Sequence, residues 1–144
     1  MGKRVLVPVD GSEQAHEACA FVTQEFSGAE MVLLHVINPA EAGYSAQASL
    51  PSFSEEWYEQ AKSQAQDLFD EIEVEAKAEG EDLSVTRAIE VGKPVRTVVE
   101  YAEENEVDQV VMGSHGRSGV TRILLGSVAE AVVRRSPVPV TVVR

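Results

Sequence analysis

Cysteine is almost absent: Cys19 is the only one in 144 residues. That excludes an internal disulfide framework and any cysteine-cluster metal site. No apolar run approaches the ~18 residues that a membrane span needs. Lysine is scarce. Four Lys and eight Arg stand against 24 acidic residues, giving a formal charge of −12 with histidine neutral. A surface this negative repels nucleic acid and anionic membranes, so neither is expected as a partner. Few lysines, many glutamates and a large negative charge also suggest a halophilic protein, because salt screens the self-repulsion.

Several functional signatures are missing. There is no Gly-x-x-x-x-Gly-Lys-Ser/Thr segment, so the chain is not a P-loop NTPase. No Gly-x-Gly-x-x-Gly occurs, which weakens a dinucleotide reading. A receiver domain would need acids clustered near the first strand and a late lysine; Asp10 has no adjacent acid, and no lysine follows Lys93. No Ser-His-Asp or Cys-His arrangement is visible from spacing. The three histidines, His16, His35 and His115, are scattered without an acidic pair, so no metal site is expected. His16 and His35 read as structural or solvent-facing. Cys19 falls on the apolar face of a helix and reads as a packing residue.

What is present suits one domain. A chain of this length with 44% hydrophobic residues can bury roughly 70% of its unfolded surface. Met1-Gly2-Lys3-Arg4-Val5 leads directly into a strand-like segment with no signal-peptide pattern, so a cytoplasmic location is expected. Strand and helix signals then alternate. Residues 3–10 read as a strand around Val5-Leu6-Val7-Pro8-Val9. A helix follows Gly11-Ser12, with Ser12 as N-cap, and stops near Gly28. Residues 30–37 form a second strand. A long polar stretch covers about 38–51; loops of that length are uncommon in compact domains and are usually mobile or functional. A second helix starts near Ser52 or Ser54 and runs to about Glu79, with Gly80 as its terminator. Trp57 and Tyr58 are assigned to packing it on the sheet.

The pattern continues with a strand over 83–90 and a helix over 94–105 with Pro94 in its first turn. A strand over 108–113, a helix over 127–135 and a last strand over 138–143 complete it. Short apolar strands separated by helices imply an α/β fold: a parallel sheet with both faces covered. Pro139 cannot donate to a ladder, so the last strand is expected at a sheet edge. Its valines would invite pairing with a second copy, so a homodimer through 138–143 is expected.

Charge and glycine then single out one region. Residues 1–112 carry 7 basic and 23 acidic residues, whereas 113–144 carry five arginines against Glu130 alone. In that cationic segment the fourth strand ends in Gly113-Ser114-His115-Gly116-Arg117-Ser118-Gly119. Gly126-Ser127 follows where the last helix begins. Glycines let main-chain amides approach an anion, and a helix start adds unpaired amides and a positive dipole end. This reads as a phosphate cradle. Ser127 and Glu130 have capping-box spacing; alternatively, the Ser127 hydroxyl serves a phosphate. His115 reads as an exposed loop residue, with phosphate contact as its alternative. Asp10, at the end of the first strand, either caps the turn at Gly11 or faces a ligand across the crevice.

This constellation resembles the universal stress protein family, specifically its ATP-binding branch. That family's motif is Gly, two residues, Gly, nine residues, Gly, then Ser or Thr; Gly113, Gly116, Gly126 and Ser127 match it. Val5-Leu6-Val7-Pro8-Val9-Asp10-Gly11-Ser12, Leu34-His35-Val36 and Ser136-Pro137-Val138-Pro139-Val140 look like its first strand, second strand and ending, so the resemblance spans 1–144. It implies a single three-layer, Rossmann-like domain with a five-stranded parallel sheet in the order 3-2-1-4-5 and ATP in the crevice. By resemblance, Pro8, Val9, Asp10 and Val36 would hold adenine and ribose, and Met112 would line the pocket. Gly113 would lie beside the ribose and phosphates, while Gly116, Arg117, Gly126, Ser127 and Val128 would surround the phosphates. AMP or another adenylate is an alternative ligand, and Mg²⁺ would accompany ATP through phosphate oxygens and water. The expected function is an ATP-binding, dimeric stress-response regulator with at most slow hydrolysis, since no base is evident. The alternatives are a slow ATPase or phosphotransfer enzyme, and a nucleotide-free dimerisation module.

Overall fold

Val5, Leu6 and Val7 are all fully buried. Three consecutive buried side chains on a strand require cover on both faces, and the computed structural model supplies it. It describes residues 3–40, 55–79, 84–115 and 125–144. The described elements are β1 (Arg4–Pro8), α1 (Glu13–Glu25), β2 (Glu30–Ile37), α2 (Glu55–Glu79), β3 (Ser84–Val91), α3 (Pro94–Glu104), β4 (Gln109–Gly113), α4 (Ser127–Arg135) and β5 (Val140–Val143). The five strands form one sheet in the order β3-β2-β1-β4-β5, and every neighbouring pair is parallel. This is the expected α/β topology.

The period of two along each strand sorts the core into two layers. Val5, Val7, Met31, Leu33 and Val111 pack with Ala18, Cys19 and Val22 of α1 and with Phe69 and Ile72 of α2. Leu6, Val32, Leu34, Val110 and Met112 pack with Val98 and Ala102 of α3 and with Ala129 and Val132 of α4. Burial pushes the Cys19 thiol up to about 12, with the Glu75 carboxylate adding to the effect. His16 is structural, its Nδ1 lying 3.0 Å from Glu75 Oε1 across the α1–α2 contact.

Several boundaries differ from the sequence reading. β1 ends at Pro8 rather than Asp10, although the Val9 amide still donates to the Leu34 carbonyl at 2.9 Å. β3 is Ser84–Val91, and Leu83 lies outside the described residues, as do Ser52, Ser54, Gly80 and most of the 38–51 loop. β5 begins at Val140, so Pro139 precedes the strand instead of interrupting it. Pro139 takes part only through its carbonyl, which accepts from the Val110 amide at 2.9 Å.

The two sheet edges differ in character. On β3, the exposed Arg87 reaches α2, where it donates to Gln66, Asp70 and Glu73. Those carboxylates raise its basicity further. On β5, Val140, Thr141, Val142 and Val143 are all half-buried, and no neighbouring strand lies beyond them among the described residues.

Candidate functional site

The carboxyl ends of parallel strands leave a crevice where helices start on opposite faces of the sheet. Here that crevice is a cleft of about 780 Å³ over the ends of β1, β2 and β4. Of the residues singled out from the sequence, Pro8, Val9, Asp10, Val36, Met112, Gly113, Gly126, Ser127 and Val128 line this one cleft. Gly116 and Arg117 lie outside the described residues.

The β1 end is held locally. Asp10 Oδ1 accepts from the Ser12 amide at 3.0 Å across Gly11, whose φ of +83° suits glycine. Ser12 then caps α1, its hydroxyl accepting from the Ala15 amide at 3.1 Å. One oxygen of Asp10 therefore serves the turn, as one of the two sequence readings had it, while the residue also lines the cleft.

The β4 end is tied to both its neighbours. Ser114 N donates to the Val143 carbonyl at 2.8 Å, and Ser114 O accepts from the Gly126 amide at 2.7 Å. That second bond places the start of α4 directly against the strand end. Gly126, with φ −71° and ψ 167°, is the N-cap, and no side chain caps the helix. The expected capping box from Ser127 to Glu130 is therefore corrected. Ser127 is the first helical residue, exposed at the cleft, and Glu130 instead pairs with Arg134 at 3.1 Å. The shift by one residue leaves the first-turn amides of α4 without a side-chain acceptor, at the positive end of the helix dipole.

Gly113 has a packing role. A Cβ there would lie 2.6 Å from Gln14 Cβ and 2.8 Å from the Gln14 carbonyl carbon, so the glycine lets α1 sit against β4.

Among the cleft residues that were not picked out from the sequence as part of the site, four carry polar or aromatic groups of interest. His35 donates from Nδ1 to the Val9 carbonyl at 2.9 Å, which fixes its ring at the cleft wall. Trp57, Gln60 and Gln64 of α2 form the far wall. The signal was periodic: the stripe that holds Phe69 and Ile72 in the core continues backward as Leu68, Ala65, Gln64, Ala61 and Trp57, where it turns polar. His115 lines the cleft too, and its Nε2 is buried, which corrects the exposed-loop reading.

Chemically, the cleft combines apolar surface from Leu34, Val36 and Met112 with one carboxylate, Asp10, and no described lysine or arginine. Among the described residues, no group of three His, Cys, Asp or Glu could hold a metal ion. No described helix is long and apolar enough to cross a membrane.

A cleft across the carboxyl ends of a parallel sheet, with helices on both faces, defines the class of doubly wound α/β ligand binders. The profile of the Universal stress protein family matches residues 1–144. Universal stress protein MJ0577 of Methanocaldococcus jannaschii is 34% identical over 159 residues, spanning 100% of this chain and 96% of that protein. The solved structure of MJ0577 superposes with a TM-score of 0.82 at 35% identity, covering 99% of this chain and 96% of that one. A universal stress protein solved in complex with cAMP matches with a TM-score of 0.68 at 27% identity, over 99% of this chain and 97% of that one. The chain belongs to the universal stress protein family.

Proposed function

We propose that this chain binds ATP in the cleft and acts as a nucleotide-dependent, dimeric regulator of a cytoplasmic stress response. The observation that carries the reading is one cleft that joins an apolar wall, the Asp10 carboxylate and the uncapped start of α4. Val36 and Met112 offer apolar surface to a flat base. With Oδ1 of Asp10 engaged by Ser12, its other oxygen can accept a ribose hydroxyl. The polyphosphate would lie along Gly113 toward the amides of Ser127 and Val128, with Gly116 and Arg117 completing the cradle. The cAMP complex of a relative supports an adenylate as the ligand class. Mg²⁺ would be held chiefly by phosphate oxygens and water, since Asp10 is the one described carboxylate in the cleft.

Isothermal titration in high salt tests this. One ATP per chain is expected, with Gly126→Val abolishing binding while the circular dichroism spectrum stays intact. A Cβ at Gly126 already lies 3.2 Å from the Ser114 carbonyl oxygen, so a branched side chain must crowd the helix start. Unchanged affinity in that variant rejects the site. Single-turnover cleavage of ATP with Mg²⁺ separates a regulator from a slow ATPase: no product over hours is the result expected.

The half-buried β5 edge supports a dimer in which two copies pair along Val140–Val143. Light scattering is expected to give twice the chain mass; a monomer at working protein and salt concentrations rejects the pairing.

A further inference from the structure

The nucleotide reading leaves one feature of the cleft without a role. His115 Nε2 is buried and has no hydrogen-bond partner among the described residues, and a buried polar atom in that state is costly. The ring around it is held in place. Its Nδ1 lies 3.1 Å from the Ser114 hydroxyl, and Ser114 is itself only 3% exposed. Both backbone groups of Ser114 are engaged, N with Val143 O and O with Gly126 N. For the buried Ser114 hydroxyl, His115 Nδ1 is the acceptor at hand. With the hydroxyl as donor, Nδ1 is the lone-pair nitrogen and the ring proton sits on Nε2. In that tautomer Nε2 is an oriented N–H donor with no acceptor among the described residues.

This donor stands next to the start of α4. His115 Cδ2, the carbon bonded to Nε2, lies 3.6 Å from where a Cβ on Gly126 would sit. Gly126 is the N-cap of a nine-residue helix that no side chain caps. Two independent sets of unmet donors, an imidazole N–H and first-turn amides, thus adjoin at one end of the cleft. An acceptor with several oxygens and high negative charge would satisfy both.

We propose that His115 Nε2 donates a hydrogen bond to a phosphate oxygen of the bound ligand, with Ser114 holding the ring in the donor tautomer, so that His115 discriminates phosphorylated from unphosphorylated ligands. The proposal rests on the nucleotide reading of the same cleft but concerns the phosphate group, whether it belongs to a nucleotide or to inorganic polyphosphate.

The full chain, labelled with ¹⁵N-histidine, is titrated with tripolyphosphate, ATP and adenosine while the imidazole resonances are followed by NMR. Affinities are measured in parallel for His115→Phe and His115→Gln. The His115 Nε2 resonance is expected to be protonated in the free protein, to shift with tripolyphosphate and ATP, and to stay put with adenosine. His115→Phe is expected to weaken ATP and tripolyphosphate by about tenfold, the scale of one charge-assisted hydrogen bond, and to spare adenosine. His115→Gln, which keeps an N–H donor, is expected to recover most of the loss. ATP bound with no response at His115, or with wild-type affinity in His115→Phe, overturns the proposal and leaves the nucleotide reading standing. A response to tripolyphosphate with no binding of ATP or adenosine does the reverse.

Discussion

Two of the helices that begin at the cleft, α1 and α4, have starts that are built differently. At α1, Ser12 turns its hydroxyl onto the Ala15 amide and Asp10 takes the Ser12 amide, so the start is closed by its own chain. At α4, Gly126 contributes no side chain, and the first turn faces the cleft without a cap. The two sites share the sheet edge and the dipole sign, yet one is finished internally and the other lacks an acceptor. The start of α1 is closed by its own side chains, and the first-turn amides of α4 are left open.

The difference can be attacked from either side. The largest effect is expected for Gly113→Val, which forces α1 off the end of β4. With Gln14 backbone within 3 Å of the new Cβ, the loss should reach about 3 kcal/mol, at the upper end for overpacking, and appear as a lowered thermal midpoint. Gly126→Asp comes next. Its carboxylate would give α4 the cap that α1 already has, and would repel phosphate. ATP affinity is expected to fall tenfold or more, about 1.4 kcal/mol or above, with adenosine affinity retained in calorimetry.

Ser12→Ala opens α1 in the opposite sense and should cost about 1 kcal/mol of stability in denaturant unfolding, leaving ATP affinity near wild type. Cys19 gives the smallest effect, none at neutral pH. Its thiol is raised above the ordinary thiol value of 9.0 to about 12 by burial. The folded chain therefore holds that proton while the unfolded chain releases it, and stability falls as pH climbs from 9 toward 12. Cys19→Ala is expected to flatten that alkaline slope, and native Cys19 should resist alkylation until the protein unfolds.

Most of the architecture was legible because it depends on coarse signals. Val5-Leu6-Val7 and Met31-Val32-Leu33-Leu34 can only be strands covered on both faces, and Gly28 and Pro94 punctuate helices through backbone geometry. The errors lie where two local rules compete. Ser127 followed by Glu130 fits a capping box, but Gly126 adopts the extended conformation of the cap and is anchored by the Ser114 carbonyl. That tertiary bond is invisible to spacing. His35 continues the phase of Met31 and Leu33, yet it lies at the strand end, where the covering helices give way to the cleft. Gly113 lines the cleft as expected, and what spacing could not show is its second role, the close contact with Gln14, 99 positions away in the chain.

The sheet has one guarded rim and one bare rim. On the β3 side, Arg87 clasped by Asp70 and Glu73 puts a charged fence along the border, and fences of that kind discourage strand addition. The β5 side has only valines and a threonine. Growth of an assembly through strand pairing can then use a single border per chain, so the proposed two-copy ladder terminates itself by symmetry and does not propagate into a fibre.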